Sequence, residues 1–176
     1  MSIASLKKRI KKLEKVNIQV GFFNDHKYPD GTPVAYVATI QEFGYRGGGI
    51  NIPPRPFMRP AEKNHRKEWQ KHLLKQAKLS LKVKASMQSI FAPVGQHMVQ
   101  DIEDAIINGG HKPLSNVTLL LRKWKKEGRV ISKSVVEEAR RYLEMFPMAT
   151  LSKNTTPLND TGLLIASVIY RINEPS

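Results

Sequence analysis

The sequence contains no cysteine among its 176 residues. That absence excludes a disulfide framework, a zinc site built from thiolates and a thiol nucleophile. Aromatic residues make up only 7% of the chain, although a hydrophobic content of 40% is typical of a folded protein. No apolar run approaches the length of a membrane span, and no uninterrupted apolar stretch follows the basic N-terminus. We therefore expect neither a transmembrane helix nor a signal peptide.

Acidic residues are also scarce, since 15 Asp and Glu stand against 29 Lys and Arg for a net charge of +14. The excess is uneven: residues 1–84 carry 18 basic and 6 acidic side chains, and residues 85–176 carry 11 and 9. Such a field favours a polyanionic partner, whether nucleic acid, a membrane surface or an acidic protein face. Lysine outnumbers arginine, the residue that makes most bidentate base contacts, so we expect any nucleic-acid contact to be non-specific.

The chain is expected to open with a basic amphipathic helix over residues 3–15 and a half-buried strand over residues 17–23. We expect the helix to pack on the sheet, and a position on a membrane surface is the alternative. Thr32 and Pro33 are a typical helix start, and Gly44 is a typical helix end.

A stiff segment follows this second helix. Three glycines, Gly47, Gly48 and Gly49, precede a run in which three of four residues are proline. Because proline fixes its own φ and keeps the residue before it out of the helical region, Ile52–Pro56 is predicted to be an extended, polyproline-like rod. The rod is either a docking arm or a rigid connector within its own domain. Residues 45–52 are a candidate third strand.

Two long helices are predicted next, over residues 60–83 and 86–107, the second with a kink near Pro93. In the first, six lysines recur every three or four residues opposite an apolar stripe. Such a stripe is either a solvated face or a face turned toward phosphates, whose binding would depend strongly on salt. The six are Lys63, Lys67, Lys71, Lys75, Lys78 and Lys82.

The C-terminal part is predicted to hold two short helices and a closing strand. Ser115 or Asn116 caps the first helix, a capping box at Ser134 starts the second, and the strand spans residues 166–172 after a turn capped by Asp160. Together these elements predict one α+β domain over residues 1–176. Its small, mostly antiparallel sheet, in which the N- and C-terminal strands pair, packs on the two long helices.

Residues able to support catalysis are not clustered in the sequence. None of the five histidines has a metal-ligand spacing, and Glu103 and Asp104 are expected to face solvent beside Asp101. The triple glycine lacks the lysine of a phosphate loop. We therefore predict no catalytic, cofactor or metal site and do not expect an enzyme.

An ordered set of motifs resembles small virion-morphogenesis proteins of tailed phages, namely tail-completion, neck or minor tail components. The matches run in order over about residues 5–172, and no single motif decides the resemblance. They are Val20-Gly21-Phe22, Val37–Gly44, Ile52–Pro60, Pro113-Leu114 with Val117–Leu119 and Arg122-Lys123, Pro157–Leu164, and Ser167–Ile169. Residues 129–152 depart from the pattern as a helical insertion, which is either a partner contact or a tolerated elaboration.

The resemblance implies a structural protein of the virion, assembled in the host cytoplasm and placed at the tail top or neck. It implies a ring of copies around the DNA channel, most simply a hexamer. The ring is expected to contact the head–tail connector, tail terminator or tail tube proteins. It is also expected to contact genomic DNA non-specifically and not to contact membrane. A tail terminator or minor tail protein is an alternative, and a basic, non-sequence-specific nucleic-acid-binding protein is an alternative from another class. The lysines above are the candidate DNA-facing residues. The candidate assembly residues are Glu42, Phe43, Gly44, Gly47, Gly48, Gly49, Pro53, Pro54, Arg55, Pro56, Phe57, Asp160, Thr161 and Gly162, with Arg55 as polar anchor and Phe57 as buried anchor.

Overall fold

The computed structural model describes residues 3–47, 50–149, 151, 158 and 162–173. These residues contain seven helices and four short strands, whose pairings are antiparallel, which confirms the predicted α+β class. In chain order the elements are α1 (Ile3–Leu13), β1 (Asn17–Gly21), α2 (Val34–Phe43), β2 (Tyr45–Gly47), β3 (Ile50–Ile52), α3 (Met58–Ser80), α4 (Met87–Asn108), α5 (Asn116–Lys126), α6 (Lys133–Met145), α7 (Leu163–Ala166) and β4 (Ile169–Asn173).

The two ends of the chain meet in one antiparallel sheet. β1 pairs with β4 in a register that sets Asn17 opposite Asn173 and Gly21 opposite Ile169. The predicted pairing of the N- and C-terminal strands is therefore confirmed. The prediction that residues 45–52 add a third strand to it is wrong, because β2 and β3 pair with each other in a separate antiparallel hairpin.

The sheet and α3 both pack against α4, which is the central helix of the fold. One core cluster joins α2, the start of α3 and the C-terminal half of α4 through Val34, Phe57 and Ile106. A second lies between the N-terminal half of α4 and the sheet and includes Phe91 and Ile172. The predicted core helix is thus confirmed, and it continues through Pro93.

The predicted insertion contains α6, which packs on α5. Ala139 of α6 is fully buried against Leu120 and Trp124 of α5, and these residues form a core cluster of their own. The helix begins after Ser132, whose hydroxyl accepts a hydrogen bond from the N–H of Val135. The capping box predicted at Ser134 is therefore wrong, because a serine two residues earlier accepts the free N–H of the first turn.

The start of α3 and the start of the closing strand also differ from the prediction. α3 starts at Met58 and not at Pro60, because Glu42 caps the helix from outside it. The closing strand starts at Ile169, since Leu163–Ala166 is helical and the Ser167 hydroxyl bonds back to the Leu163 carbonyl. The turn cap predicted at Asp160 lies outside the described residues.

The basic helix α1 is held at its C-terminal end. Leu13 contacts the second core cluster, and the Arg9 guanidinium donates to the backbone carbonyls of Ser80 and Ala85. Ile3 at the other end is 76% exposed. Among the described residues, no helix is both long and apolar enough to cross a membrane.

Candidate assembly and nucleic-acid interface

Glu42 joins the two halves of the predicted assembly segment. Its side chain is buried at the C-terminal end of α2. The carboxylate accepts hydrogen bonds from the backbone N–H groups of Phe57 at 2.7 Å, Met58 at 3.0 Å and Arg59 at 3.2 Å. These N–H groups belong to the first turn of α3, where intrahelical partners are lacking and negative charge is favoured. One carboxylate therefore ties the end of one helix to the start of another.

Arg59 closes this arrangement from the solvent side. Its Nε lies 2.8 Å from a Glu42 carboxylate oxygen, and a terminal nitrogen donates to the Glu42 backbone carbonyl at 3.0 Å. Burial alone would raise the pKa of Glu42, but the Arg59 guanidinium and the three N–H donors outweigh it and hold the pKa below its ordinary value. Glu42 is therefore an anion at neutral pH.

Gly44 is required by the turn between α2 and the hairpin. Its φ is +77°, a conformation that L side chains rarely adopt. A Cβ added there would also lie 2.8 Å from the backbone oxygen of Ile52, so the hairpin could not pack as closely on the helix end. Gly47 ends β2, whereas Gly48 and Gly49 lie outside the described residues.

The proline run, residues 53–57, is in neither helix nor strand and returns the chain to α2. The backbone N–H of Arg55 donates to the Gln41 carbonyl at 2.7 Å. Pro54 is exposed, and Pro53 and Pro56 are half-buried. The run thus packs on its own domain, which is the connector alternative, and its use as a docking arm remains an expectation.

The two predicted anchors of this segment lie inside the protein. Phe57 is fully buried and packs edge-on against Phe22, with ring centroids 5.8 Å apart. Arg55 is 8% exposed and lines a cavity beside α5. Phe57 is thus part of the chain's own core, and its role as an anchor for assembly remains an expectation.

Exposed aromatic side chains lie on α2 and on the strand that follows it. Tyr36 and Phe43 lie seven residues apart on one face of α2 and are 56% and 62% exposed, and Tyr45 of β2 is 43% exposed. The Arg59 guanidinium sits over the Phe43 ring, 4.7 Å from its centroid. We refer to Tyr36, Phe43 and Tyr45 as the aromatic surface. Only Phe43 of the three is in the predicted set, because apolar periodicity does not show which aromatic side chains stay exposed.

All six predicted DNA-facing lysines are exposed. At 100° per residue they fall within an arc of about 120°, and the five that lie in α3 extend over about 22 Å of its axis. None of the six forms a salt bridge within the part of the chain that the structure describes. These six residues, hereafter the lysine face, thus carry positive charge that forms no described salt bridge.

More basic residues lie where α1 meets the turn between α3 and α4. Lys8, Arg9, Lys12 and Lys84 line a cleft there of about 370 Å³, beside the N-terminus of α4. Lys82 of the lysine face is two residues from Lys84. The basic residues of α1 therefore stand at one end of the lysine face.

The predicted closing signature is described only in part. Gly162 has a left-handed conformation, with φ of 73°, and stands at the N-cap of α7. Leu158 and Leu164 on either side are buried in the core cluster that contains Phe57. Asp160 and Thr161 lie outside the described residues. The described part of the signature thus packs on the same core as the proline run.

A polar cluster between α3 and α4 was not anticipated from the sequence. The Asp101 carboxylate is buried and accepts a hydrogen bond from the Trp69 indole N–H. Nitrogens of His65 and His97 lie 3.6 and 3.7 Å from Asp101 oxygens, and the His72 ring is 4.9 Å from that of His97. Helix packing brings these residues together from positions up to 36 apart in sequence.

This polar cluster is best explained as a link between the two helices. Within the described residues, no group of three or more His, Cys, Asp or Glu side chains is arranged to hold a metal ion. Asp101 satisfies the indole N–H of Trp69, which is itself 6% exposed. A buried donor without such an acceptor would cost about 1–3 kcal/mol.

No protein-family model, curated protein or solved structure matches the chain. The geometry of these surfaces and the sequence resemblance are therefore the grounds on which a function can be argued.

Proposed function

We propose that the chain is a structural component of a tailed-phage virion, a tail-completion or neck protein that forms a ring at the head–tail junction around the DNA channel. The observation that carries the proposal is the order of motifs along the sequence. The two most distinctive of them, Val37–Gly44 and Ile52–Pro60, are physically coupled through the Glu42 carboxylate. Because this contact joins the two motifs into one folding unit, it supports treating them as one element of the resemblance.

A closed ring requires two different, complementary surfaces on each subunit. The aromatic surface on α2 supplies one. The end of α6 supplies the other, since Met145, Phe146 and Met148 are 67%, 53% and 96% exposed. Contiguous exposed apolar side chains are typical of protein–protein contacts. In the proposed ring, the end of α6 packs against the aromatic surface of the next copy.

The lysine face supplies the proposed contact between the ring and DNA. Positive charge without sequence-reading arginines suits contact with the phosphates of passing DNA and carries no base specificity. In the proposed ring this face points into the channel, where it neutralises phosphates without holding one sequence. DNA can then move through the ring during packaging and ejection.

The lysine face also favours a second candidate from another class, a basic protein that binds nucleic acid non-specifically as a monomer. Such a protein would use the same six lysines and need no ring. The two candidates differ in oligomeric state and in affinity for free DNA.

Electron microscopy and light scattering of the purified protein, combined with a salt titration of DNA binding, separate them. The ring proposal predicts closed rings and weak binding to free duplex DNA at 150 mM salt. A monomer that binds duplex DNA tightly, with log affinity falling steeply against log salt concentration, would favour the second candidate.

Charge reversal tests the use of the lysine face under either candidate. Lys67→Glu, Lys71→Glu and Lys75→Glu together should abolish DNA binding at low salt. The matched control is the triple variant Lys126→Glu, Lys133→Glu and Arg140→Glu, which makes the same charge change at exposed positions of α5 and α6. Equal loss of DNA binding in both would contradict a specific role for the lysine face.

The proposed subunit contact has its own test. Met145→Asp with Met148→Asp should convert rings to folded monomers, because exposed side chains contribute little to folding. Ile3→Asp with Ile107→Asp makes the same change at exposed positions elsewhere, 76% and 48% exposed, and should leave rings intact. Rings that survive the first pair would remove α6 from the contact.

A further inference from the structure

The cleft between α1 and the turn that joins α3 to α4 brings three exposed lysines together from distant parts of the chain. Lys8 and Lys12 come from α1, and Lys84 comes from the turn. Because Lys8 and Lys12 are four residues apart, they are neighbours on one face of the helix. The three side chains line a cleft of about 370 Å³.

The packing of α1 holds these lysines in place. Leu13 contacts the second core cluster, against which Leu73 of α3 also packs. The Arg9 guanidinium donates to the carbonyl of Ser80, the last residue of α3, and to the carbonyl of Ala85 in the turn. Arg9 therefore ties α1 to the turn, and the lysines converge as a consequence of the fold.

The cleft is cationic. With Arg9, four basic side chains line it, and none of its described lining residues is acidic. Within the part of the chain that the structure describes, Lys8, Lys12 and Lys84 form no salt bridge. The hydrogen bonds of Arg9 go to uncharged carbonyls. Like charges held together in this way repel one another and favour an anion among them.

The cleft adjoins one end of the lysine face. Lys82, the last residue of that face, is two positions before Lys84, so their Cα atoms are at most about 7.6 Å apart. Along α3 the lysines recur every three or four residues, a rise of about 4.5–6 Å. The phosphates of one DNA strand follow one another about every 3.4 Å along the duplex axis. A duplex thus has phosphates spaced closely enough to meet both the lysine face and the cleft.

We propose that this cleft binds backbone phosphates of duplex DNA among Lys8, Lys12 and Lys84, and that it extends the contact of the lysine face beyond α3. Contacts from lysine to phosphate fix the position of a protein on DNA and carry no sequence information. The inference rests on the DNA contact of the proposed function and does not depend on ring formation.

Fluorescence anisotropy of a labelled duplex of random sequence, titrated with the full chain at several salt concentrations, tests the proposal. The variant Lys8→Gln with Lys12→Gln and Lys84→Gln should bind about tenfold or more weakly at about 100 mM salt. Its slope of log affinity against log salt concentration should be smaller by about 2–3, since each neutralised phosphate contributes about 0.9. Wild-type affinity and slope in this variant overturn the proposal.

A matched control makes the same charge change beside the cleft. Lys7, Lys11 and Lys15 are exposed and do not line it. At about 100 mM salt the Debye length is about 10 Å, so charges that do not touch a phosphate contribute little. Lys7→Gln with Lys11→Gln and Lys15→Gln should therefore bind within about threefold of wild type. Equal losses in the control and the cleft variant overturn the proposal.

A conservative variant separates lost charge from altered packing. Lys8→Arg with Lys12→Arg and Lys84→Arg keeps all three positive charges and should bind DNA as wild type does, with an unchanged circular dichroism spectrum. A loss of affinity as large as that of the glutamine variant would show that packing, and not phosphate contact, explains the effect.

Two further comparisons distinguish this proposal from its neighbours. If Lys67→Glu with Lys71→Glu and Lys75→Glu abolishes DNA binding while the cleft variant binds normally, the cleft proposal is overturned and the DNA contact of the lysine face stands. If wild type does not bind duplex at low salt, both are overturned. Poly-L-glutamate is the second probe: a cleft variant that loses affinity for it but not for DNA would assign the cleft to an acidic protein instead.

Discussion

At the scale of single residues, Glu42 joins the end of α2 to the start of α3 in the segment that carries the family resemblance. Its carboxylate meets three backbone donors and one guanidinium, and all four come from residues 57–59. A capping side chain normally comes from the residue just before a helix. Here it comes from 15 positions earlier, so the loop between α2 and α3 is closed by the cap itself.

Replacing Glu42 by Gln tests this role. Gln keeps the shape and one acceptor but removes the charge, so we expect the free energy of unfolding at pH 7 to fall by about 1–3 kcal/mol. Urea denaturation followed by circular dichroism measures it. Glu62→Gln is the matched control, since the Glu62 side chain is exposed and its one salt bridge among the described residues is to Arg66, and its cost should stay under about 0.5 kcal/mol. Equal costs for the two variants would contradict the capping role.

The lowered pKa of Glu42 makes this contribution depend on pH. A carboxyl whose pKa is lower in the folded than in the unfolded state stabilises the fold fully above its unfolded pKa, about 4.3. That stabilisation is lost as the pH falls through the folded pKa. The difference in unfolding free energy between wild type and Glu42→Gln should therefore be constant from pH 6 to 8 and shrink below about pH 4. A difference that grows on acidification would contradict the assigned direction of the shift.

At the scale of elements, α4 and the strand β4 approach each other closely at one glycine. Gly95 is buried in α4, and a Cβ built on it would overlap the ring of Tyr170 in β4. In an exposed helix a change from Gly to Ala stabilises by about 1 kcal/mol. The close approach reverses that sign, because the blocking atoms belong to a ring that packs on the core.

We expect Gly95→Ala to lower the free energy of unfolding by about 1–3 kcal/mol, measured by chemical denaturation. In a Tyr170→Ala background the same change should be neutral or stabilising, since the ring that blocks the new methyl group is gone. A stabilising effect of Gly95→Ala in the wild-type background would show that β4 does not sit against α4 at this position.

Most elements of the fold could be predicted from the sequence, and their contacts could not. Apolar periodicity indicated both long helices, and alternation indicated β1, because these signals are local. The hairpin of β2 and β3 was missed as a separate unit, since three-residue strands are too short to show a period. The Asp101, Trp69 and His97 cluster was missed because it depends on the packing register of α3 against α4.

At the scale of the whole molecule, the lysine face and the two apolar surfaces of the proposed ring contact lie on different elements. The lysine face lies on α3 and the turn after it, with more basic residues on α1, whereas the two apolar surfaces lie on α2 with β2 and at the end of α6. The six lysines were correctly predicted to be exposed, because a helix with an apolar face and a charged face buries the apolar one and leaves the charged one in solvent. The second apolar surface lies in the insertion and was not predicted.

The candidate site was predicted only in outline. The sequence indicated Glu42 to Phe57 as one unit, but Phe57 lies in the core, whereas Tyr36 and Tyr45, which are not in the predicted set, are exposed. The order of motifs alone does not distinguish a residue that stabilises the fold of this segment from one that contacts a partner, because both kinds of residue lie in the same motifs. Burial separates them, and it is a property of the folded chain.

The proposal of a head–tail joining role is tested most directly in a phage that encodes this chain. The gene is disrupted, and lysates with and without the wild-type chain supplied in trans are compared by electron microscopy and plaque assay. The account predicts separate heads and tails, or tails of uncontrolled length, in the disrupted phage, and joined infectious particles once the chain is supplied. Normal, infectious particles in the absence of the chain would contradict it.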